Sequence, residues 1–434
     1  MGVFKTILNS YSPLKIKNLR YYLSGQVISL IGSWMQLTAQ SWVVWDLTKS
    51  ELILGIVAML GFLPFLVLAP FTGAITDRFD RRKLLIFTQI VSMLLAIIFA
   101  VLVQTHTIQV WHIFILTTLL GIVNSLDMPA QMAFIGDISG VENVRQSINL
   151  NNVIVQVSRM LGPALAGLII GYFGVAQAFW INALSFVAVI ISLLIITSHQ
   201  EIRKENKETK QEIKEAFHFI KQNPFIIDLM ILTFIITLFA FPIIQMLPSF
   251  VSVVLHGDAS LLGYLMAASG AGALIGSMFV TPIIQKPKRV GLVLSLCAIW
   301  TGFWYIIFSF TTNPQLSMLF IFFTALSVPI LLTTSNGLVQ VLAPPHMKGR
   351  VISILLILSF GIMPIGSLLI GVSAYFLSTP HAILLNASMI ILSTIFLAIF
   401  RKELLKWEIH HHGPEEHKEK LPHHIHLKPH SDNK

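Results

Sequence analysis

The chain has 434 residues, of which 55% are hydrophobic and only 11% are charged. Soluble domains carry about 25% charged residues, so this composition excludes an ordinary soluble globular protein. The formal net charge of +9 does not indicate nucleic-acid binding, because the chain lacks the base-stacking aromatic residues and the polar context that such a site needs. The composition predicts an integral membrane protein.

Twelve apolar runs follow one another along the chain, each near the length of about 20 residues that a helix needs to cross a bilayer. Predicted helices 1 to 12 cover residues 19–46, 52–76, 83–104, 110–136, 147–172, 176–198, 224–250, 260–285, 290–311, 315–340, 349–377 and 380–400. Strands of a membrane barrel alternate polar and apolar residues, and these runs do not. The sequence therefore predicts an all-α membrane protein with twelve transmembrane helices.

Positive charge is confined to every second connection between the predicted helices. Lysines and arginines lie at both ends of the chain and in the loops after helices 2, 4, 6, 8 and 10, whereas the opposite loops hold only Lys49. Cytoplasmic loops of membrane proteins are enriched in these residues. Both termini are therefore predicted to be cytoplasmic.

The predicted helices form two groups of six. The chain is divided into an N-terminal half, a charged amphipathic cytoplasmic linker, a C-terminal half and a polar cytoplasmic tail, at residues 1–198, 199–223, 224–400 and 401–434. GPALAGLIIG in helix 5 is echoed by MPIGSLLIG in helix 11. Such internal symmetry is typical of secondary transporters, whose binding site lies between the repeats near the middle of the membrane.

A short charged segment, GAITDRFDRRKLL, separates the uncharged predicted helix 2 from helix 3. Its pattern of Gly73, Asp77, Arg78, Arg81 and Arg82 resembles the loop 2–3 signature of the major facilitator superfamily. The resemblance implies that Asp77 contacts the other half and latches the cytoplasmic side shut, while the three arginines tie the loop to helix ends. The alternative is that these cations only fix the topology.

Further segments resemble one branch of that superfamily, the enterobactin-exporter and macrolide-efflux-like proteins. These segments are LSGQVISLIGSWMQ, DMPAQ, RMLGPALAG, FWINALSF, GYLMAASGAGALIG and KGRVISI. Gln131 departs from the branch pattern, in which that position often carries Arg. Gly162 and Pro163 lie in GPALAG, which resembles the helix 5 motif of the superfamily's antiporters and implies a role in the conformational change.

Charged residues inside a membrane are costly and usually functional. Asp127 in helix 4 and Arg159 in helix 5 lie about 13 Å and 18 Å from the cytoplasmic helix ends at 1.5 Å per residue. The sequence therefore predicts that they form a pair. The pair is either a fixed salt bridge or one that breaks on protonation of Asp127 or arrival of substrate. Asp46, at the outer end of helix 1, is a third candidate.

The resemblance implies that helices 1, 4, 7 and 10 line the substrate cavity. The candidate lining residues are the amides and the aromatic residue Gln26, Trp34, Gln36, Gln40, Gln245 and Asn336. Such a cavity suits a bulky, partly aromatic or anionic solute. For each of these residues, hydrogen bonding between helices is the alternative.

The C-terminal tail is rich in histidine, a common ligand of divalent metals. The eight histidines are His410, His411, His412, His417, His423, His424, His426 and His430. Divalent metal binding by the tail, with or without a regulatory role, is one interpretation, and an inert polar tail is the other. No other cofactor is expected.

The sequence favours a proton-coupled exporter of a small organic molecule, either a siderophore or a drug such as a macrolide, in a bacterial cytoplasmic (inner) membrane. No nucleotide-binding loop is present, so an ion gradient must drive transport. The expected partners are the solute, protons and the lipid bilayer, and the chain is expected to act as a monomer and not as an enzyme. The alternatives are import of a siderophore or nutrient, and a metal-responsive membrane receptor.

Overall fold

The computed structural model describes residues 12–140, 142–196, 210–280, 289–344 and 347–401, and all regular structure in this part of the chain is helical. Twelve long helices follow in order: α1 Lys17–Thr48, α2 Glu51–Arg78, α3 Arg81–Gln104, α4 Val110–Ser139, α5 Val144–Phe173, α6 Val175–Ile195, α7 Pro224–Val254, α8 Ala259–Ile275, α9 Val290–Ser309, α10 Pro314–Leu342, α11 Lys348–Leu377 and α12 Thr379–Phe400. A linker helix, Lys210–Gln222, precedes α7.

Eleven helices in the described ranges are long and apolar enough to cross a membrane. The remaining long helix, α1, has 32 residues and is less apolar than the others. Its length exceeds the roughly 20 residues that a span needs. Its polarity is explained by its buried glutamines, which bond to neighbouring helices instead of facing lipid. The architecture agrees with the predicted all-α membrane fold.

After several short connections, a polar side chain caps the first turn of the next helix. Ser50 accepts a hydrogen bond from the backbone N–H of Ile53 at the start of α2, and Asp80 accepts one from Lys83 at the start of α3. Asp258 caps α8 in the same way. Such caps satisfy backbone donors that have no partner within the helix, so the boundaries follow from local sequence.

The two halves pack as separate bundles that meet along two helix pairs. Within the N-terminal half α1 packs on α6 and α2 on α4, and in the C-terminal half α8 packs on α10 and α9 on α12. Between the halves, α5 packs on α8 and α2 packs on α11. These two crossings position the cavity between the halves.

The two ends of the bundle differ in how closely the halves approach. We call the end with Arg81 and Arg82 the basic side, and the end with Asp46 and Glu51 the far side. On the far side, a Cβ built on Gly263 of α8 would lie 2.6 Å from the carbonyl oxygen of Pro163 in α5.

On the basic side, a Cβ built on Gly73, Gly136 or Gly337 would meet no described atom within 4 Å. These glycines lie in the basic-side parts of α2, α4 and α10. The described parts of the halves are therefore in backbone contact on the far side and leave space at these positions on the basic side.

Candidate functional site

A buried carboxylate lies at the centre of a polar cluster in the N-terminal half. Asp127 of α4 is 7% exposed. Its Oδ1 accepts hydrogen bonds from the Thr88 hydroxyl and from Gln89 Nε2 of α3, and its Oδ2 accepts one from Gln131. Gln131 in turn accepts a hydrogen bond of 2.9 Å from Gln26 of α1. The carboxylate is thus connected to three helices through neutral side chains.

The predicted pair between Asp127 and Arg159 is wrong. No ion pair joins them in the part of the chain that the structure describes, because Asp127 faces α3 while Arg159 faces the cavity between the halves. Distance along a helix gives the depth of a side chain in the membrane but not the direction in which it points. Three neutral donors supply the hydrogen bonds that a cation was expected to supply.

Arg159 lies at a small cavity between the halves, with a volume of about 20 Å³. The other lining residues are Ala240, Phe241, Ile244, Ser269, Tyr305, Ala325, Val328 and Pro329. The Arg159 guanidinium carbon lies 5.6 Å from the centroid of the Trp34 ring, within the range of a cation–π contact. Among the described residues, no carboxylate pairs with it.

Helix α7 is irregular where it borders this cavity. It changes from α-helix to a π-helical turn at Ile236–Ala240 and then to a 3₁₀ segment at Phe241–Met246. Pro242 lacks the N–H that a regular helix needs at this point. The change of helix type brings Phe241 and Ile244 to the cavity wall. Such π-helical turns are frequent at functional sites.

None of the six predicted cavity residues is among the residues that line this cavity, and three of them bond within the N-terminal half. Gln36 accepts a hydrogen bond of 2.7 Å from Asn182 of α6, and Gln40 donates one of 2.8 Å to Thr117 of α4. Gln26 belongs to the Asp127 cluster. All three amides bond within the N-terminal half, because α1 is packed between α4, α5 and α6.

The other three candidate residues have different surroundings. Trp34 contacts Arg159, as described above. Gln245 is half-buried in the 3₁₀ segment of α7, next to the cavity residue Ile244. Asn336 in α10 accepts a hydrogen bond of 3.0 Å from Gln340. Their part in substrate binding stays a prediction.

Gly162 allows α5 to pack closely on α1 next to Trp34. A Cβ at this position would lie 2.6 Å from Cβ of Trp34 and 2.7 Å from the carbonyl oxygen of Ile31. Because Gly162 is one turn from Arg159, this close approach also sets the position of Arg159 beside the Trp34 ring. The backbone carbonyl of Pro163 lies against Gly263 of the other half.

The arginines of the charged segment contact helix ends within their own half. Arg81 forms an ion pair of 2.7 Å with Asp137 at the end of α4. Arg82 donates to the last carbonyl groups of α6, those of Leu193 and Leu194, at 2.6 and 2.7 Å. A cation at a helix C-terminus is favourable because unpaired carbonyls and the helix dipole concentrate negative charge there.

Arg78 and Gly73 are exposed near the end of α2. The side chain of Asp77 lies outside the described residues, so its contact with the other half stays a prediction. The eight tail histidines also lie outside the described residues, and their metal binding remains a hypothesis.

A carboxylate on the far side joins the two halves, and sequence reasoning missed it. Glu51 at the start of α2 accepts hydrogen bonds from Ser249 of α7 at 2.8 Å and from Thr379 of α12 at 3.3 Å. The two hydroxyl groups also bond to each other at 2.6 Å. An acidic residue in the first turn of a helix is usually explained by the helix dipole, so no sequence pattern indicated this contact.

Asp46, predicted as a charge at the outer end of helix 1, lies in the last turn of α1, and its part in coupling stays a prediction. It forms an exposed ion pair of 2.8 Å with Lys49 at the end of α1, where the two side chains are 67% and 57% exposed. The predicted helix 1 ended at residue 46, whereas Asp46 lies in the last turn of a helix that continues to Thr48.

Solved transporter structures share this fold. A bacterial homologue of the human lysosomal transporter Spinster, in an inward-facing conformation, aligns with a TM-score of 0.70 at 13% identity, over 91% of this chain and 99% of that structure. A D-xylose–proton symporter aligns with a TM-score of 0.70 at 13% identity, over 92% and 100%.

Curated relatives are transporters of similar length. The staphyloferrin A transporter of Staphylococcus aureus is 26% identical over 91% of this chain and 99% of the relative. Macrolide efflux protein A of Streptococcus pyogenes is 23% identical over 88% and 96%. The family model described as transmembrane secretion effector, MFS_3, matches residues 8–432. The chain therefore belongs to this family of the major facilitator superfamily, whose members are transporters and not enzymes.

Proposed function

We propose that this transporter exports a small organic molecule, a siderophore or a drug, in exchange for protons. The observation that carries the proposal is the position of two ionisable groups. Arg159 lies at the cavity between the halves, and the buried Asp127 accepts hydrogen bonds from neutral donors of two helices, α3 and α4. The relatives named for a siderophore and for macrolide efflux support this class of substrate.

Protonation of Asp127 is the proposed coupling step. A carboxylate accepts hydrogen bonds at both oxygens, and a protonated carboxyl group donates at one of them. The donor that faces the protonated oxygen, either Gln131 or the pair Thr88 and Gln89, then loses its acceptor. The side chain of that donor must reorient. Because Gln131 is bonded to Gln26, the change passes from α4 to α1. Helix α1 also holds Trp34, which contacts Arg159 at the cavity. Through these contacts, protonation of Asp127 can change the side-chain arrangement at the substrate site.

Export is the proposed direction, and the relative named for macrolide efflux supports it. By the positive-inside rule, the basic side faces the cytoplasm and both termini are cytoplasmic. The far side, where the halves are in contact, then faces outward. A solute that enters from the cytoplasm is released when the far-side contacts open, as alternating access requires. The proposed location is a bacterial cytoplasmic membrane. One chain supplies both walls of the cavity, so a monomer suffices.

Transport by purified protein in proteoliposomes tests the proposal. A panel of catecholate and carboxylate siderophores and macrolides is assayed for counterflow, with and without an imposed pH gradient. The proposal predicts that at least one compound exchanges and that a proton gradient drives its accumulation against its own gradient. Flux that ignores the pH gradient would contradict proton coupling. Exchange of no compound in the panel would favour the importer of another solute or the receptor.

A further inference from the structure

We infer that the cavity binds a carboxylate group of the transported molecule on Arg159, so that the substrate is an organic anion. The inference rests on the proposed function, because it names the substrate class of the same cavity. Among the described residues, the guanidinium of Arg159 contacts the Trp34 ring, shares the cavity with Tyr305, and has no acidic partner.

The position of Arg159 makes an unpaired charge costly. It lies 15 residues from the first and 14 from the last residue of Val144–Phe173, which places it about 22 Å from either end of α5. A charge at this depth usually faces a cavity and has a counter-charge. Since the described part of the protein provides no counter-charge, the cavity is suited to a ligand that brings one.

The surroundings of Arg159 fit a carboxylate bound to its N–H groups. An aromatic ring beside a guanidinium occupies its face, whereas a carboxylate binds the N–H groups in its plane. The mostly buried residues Tyr305 and Ser269 line the same cavity. Phe241 and the aliphatic side chains of α7 and α10 form the apolar part of the wall. The chemistry of these residues thus suits a carboxylate attached to a less polar body.

The same arrangement disfavours a cationic drug. No acidic residue lines the described cavity, and the charge of Arg159 repels an ammonium group. Of the two substrate types proposed above, an anionic siderophore therefore fits better than a basic macrolide.

Ligand-induced thermal stabilisation of the purified full chain tests the inference without requiring transport. The probes are citrate, benzoate and 2,3-dihydroxybenzoate, each beside its uncharged methyl ester, together with inorganic phosphate and erythromycin. The variants are Arg159→Gln, which removes the charge, and Arg159→Lys, which keeps it but cannot form a bidentate pair. Affinities come from the concentration dependence of Tm up to millimolar concentrations.

At least one carboxylate is expected to stabilise the wild type with an affinity at least about tenfold above that of its ester. Arg159→Gln is expected to remove this difference, and Arg159→Lys to retain part of it. Without ligand, Arg159→Gln is expected to melt at the same or a higher temperature, because it removes an unpaired buried charge. A purely structural arginine would instead lower the Tm when replaced.

Three results would overturn the inference: no carboxylate stabilises the protein, the Gln variant binds carboxylates as well as the wild type does, or only phosphate or erythromycin binds. Its failure is distinct from failure of the proposed function. Carboxylate binding through Arg159 without flux in proteoliposomes refutes transport of that molecule and leaves the site intact. Flux of a neutral or cationic compound that is unchanged in Arg159→Gln refutes the site and leaves the transporter intact.

Discussion

The Glu51 carboxylate accepts a hydrogen bond of 2.8 Å from the hydroxyl of Ser249, and this bond joins the N-terminal half to the C-terminal half on the far side. Ser249 is fully buried and Glu51 is half-buried, so the bond is largely shielded from water. A hydrogen bond to a charged group contributes about 1.5–3 kcal/mol. The far side cannot open without breaking it.

Replacing Glu51 by Ala is expected to shift the population toward far-side opening by about tenfold or more, since about 1.4 kcal/mol corresponds to a factor of ten. The measurement is the distance distribution between spin labels at Thr107 and His256, which are exposed far-side positions of the two halves. The labels are placed in a Cys297→Ser background. Asp46→Ala is the matched control, because that carboxylate pairs only with Lys49 in the described structure. Unchanged distances in Glu51→Ala would refute the far-side role of Glu51.

Gly162→Ala is expected to destabilise the protein by about 1–3 kcal/mol, the usual cost of overpacking. The added methyl group would lie 2.6 Å from Cβ of Trp34, so α5 and α1 must separate. Thermal unfolding in detergent measures the effect. Gly136→Ala is the control, since no described atom lies within 4 Å of its Cβ position. The control should be neutral or slightly stabilising, because Ala favours helix more than Gly does. Equal effects of both substitutions would show that the contact with Trp34 is not tight.

Asp228 and Arg401 form an ion pair of 2.8 Å whose two members are expected to respond differently to substitution. Arg401→Ala leaves a carboxylate that is 2% exposed without its cation, and such a loss costs about 3–5 kcal/mol. Asp228→Ala leaves an arginine that is 37% exposed and still bonds to the Pro224 carbonyl, so its cost should be much smaller. The free energies of unfolding of both single variants and of the double variant measure this difference in cost. A larger cost for Asp228→Ala would contradict the expectation.

Hydropathy predicted the helices and the two halves because bilayer thickness fixes the length of an apolar run. The contacts of single side chains were harder to predict, because depth along a helix says nothing about rotation around its axis. Asp127 and Arg159 were placed at similar depth, but their side chains face different neighbours. Glu51 was missed because its partners, Ser249 and Thr379, are about 200 and 330 residues away in sequence. Arg159 lies at the cavity, and its functional role stays a prediction, although its predicted partner was wrong.

The most direct test of proton coupling through Asp127 compares two kinds of flux in the same proteoliposomes. One is exchange of substrate for substrate, and the other is accumulation driven by a pH gradient. In Asp127→Asn, the amide cannot exchange a proton but can still bond to Gln131, Thr88 or Gln89. Exchange should therefore persist while gradient-driven accumulation is lost, and Asp46→Asn, an exposed carboxylate, should retain both. Gradient-driven accumulation that survives in Asp127→Asn, or loss of exchange as well, would contradict a coupling role for Asp127.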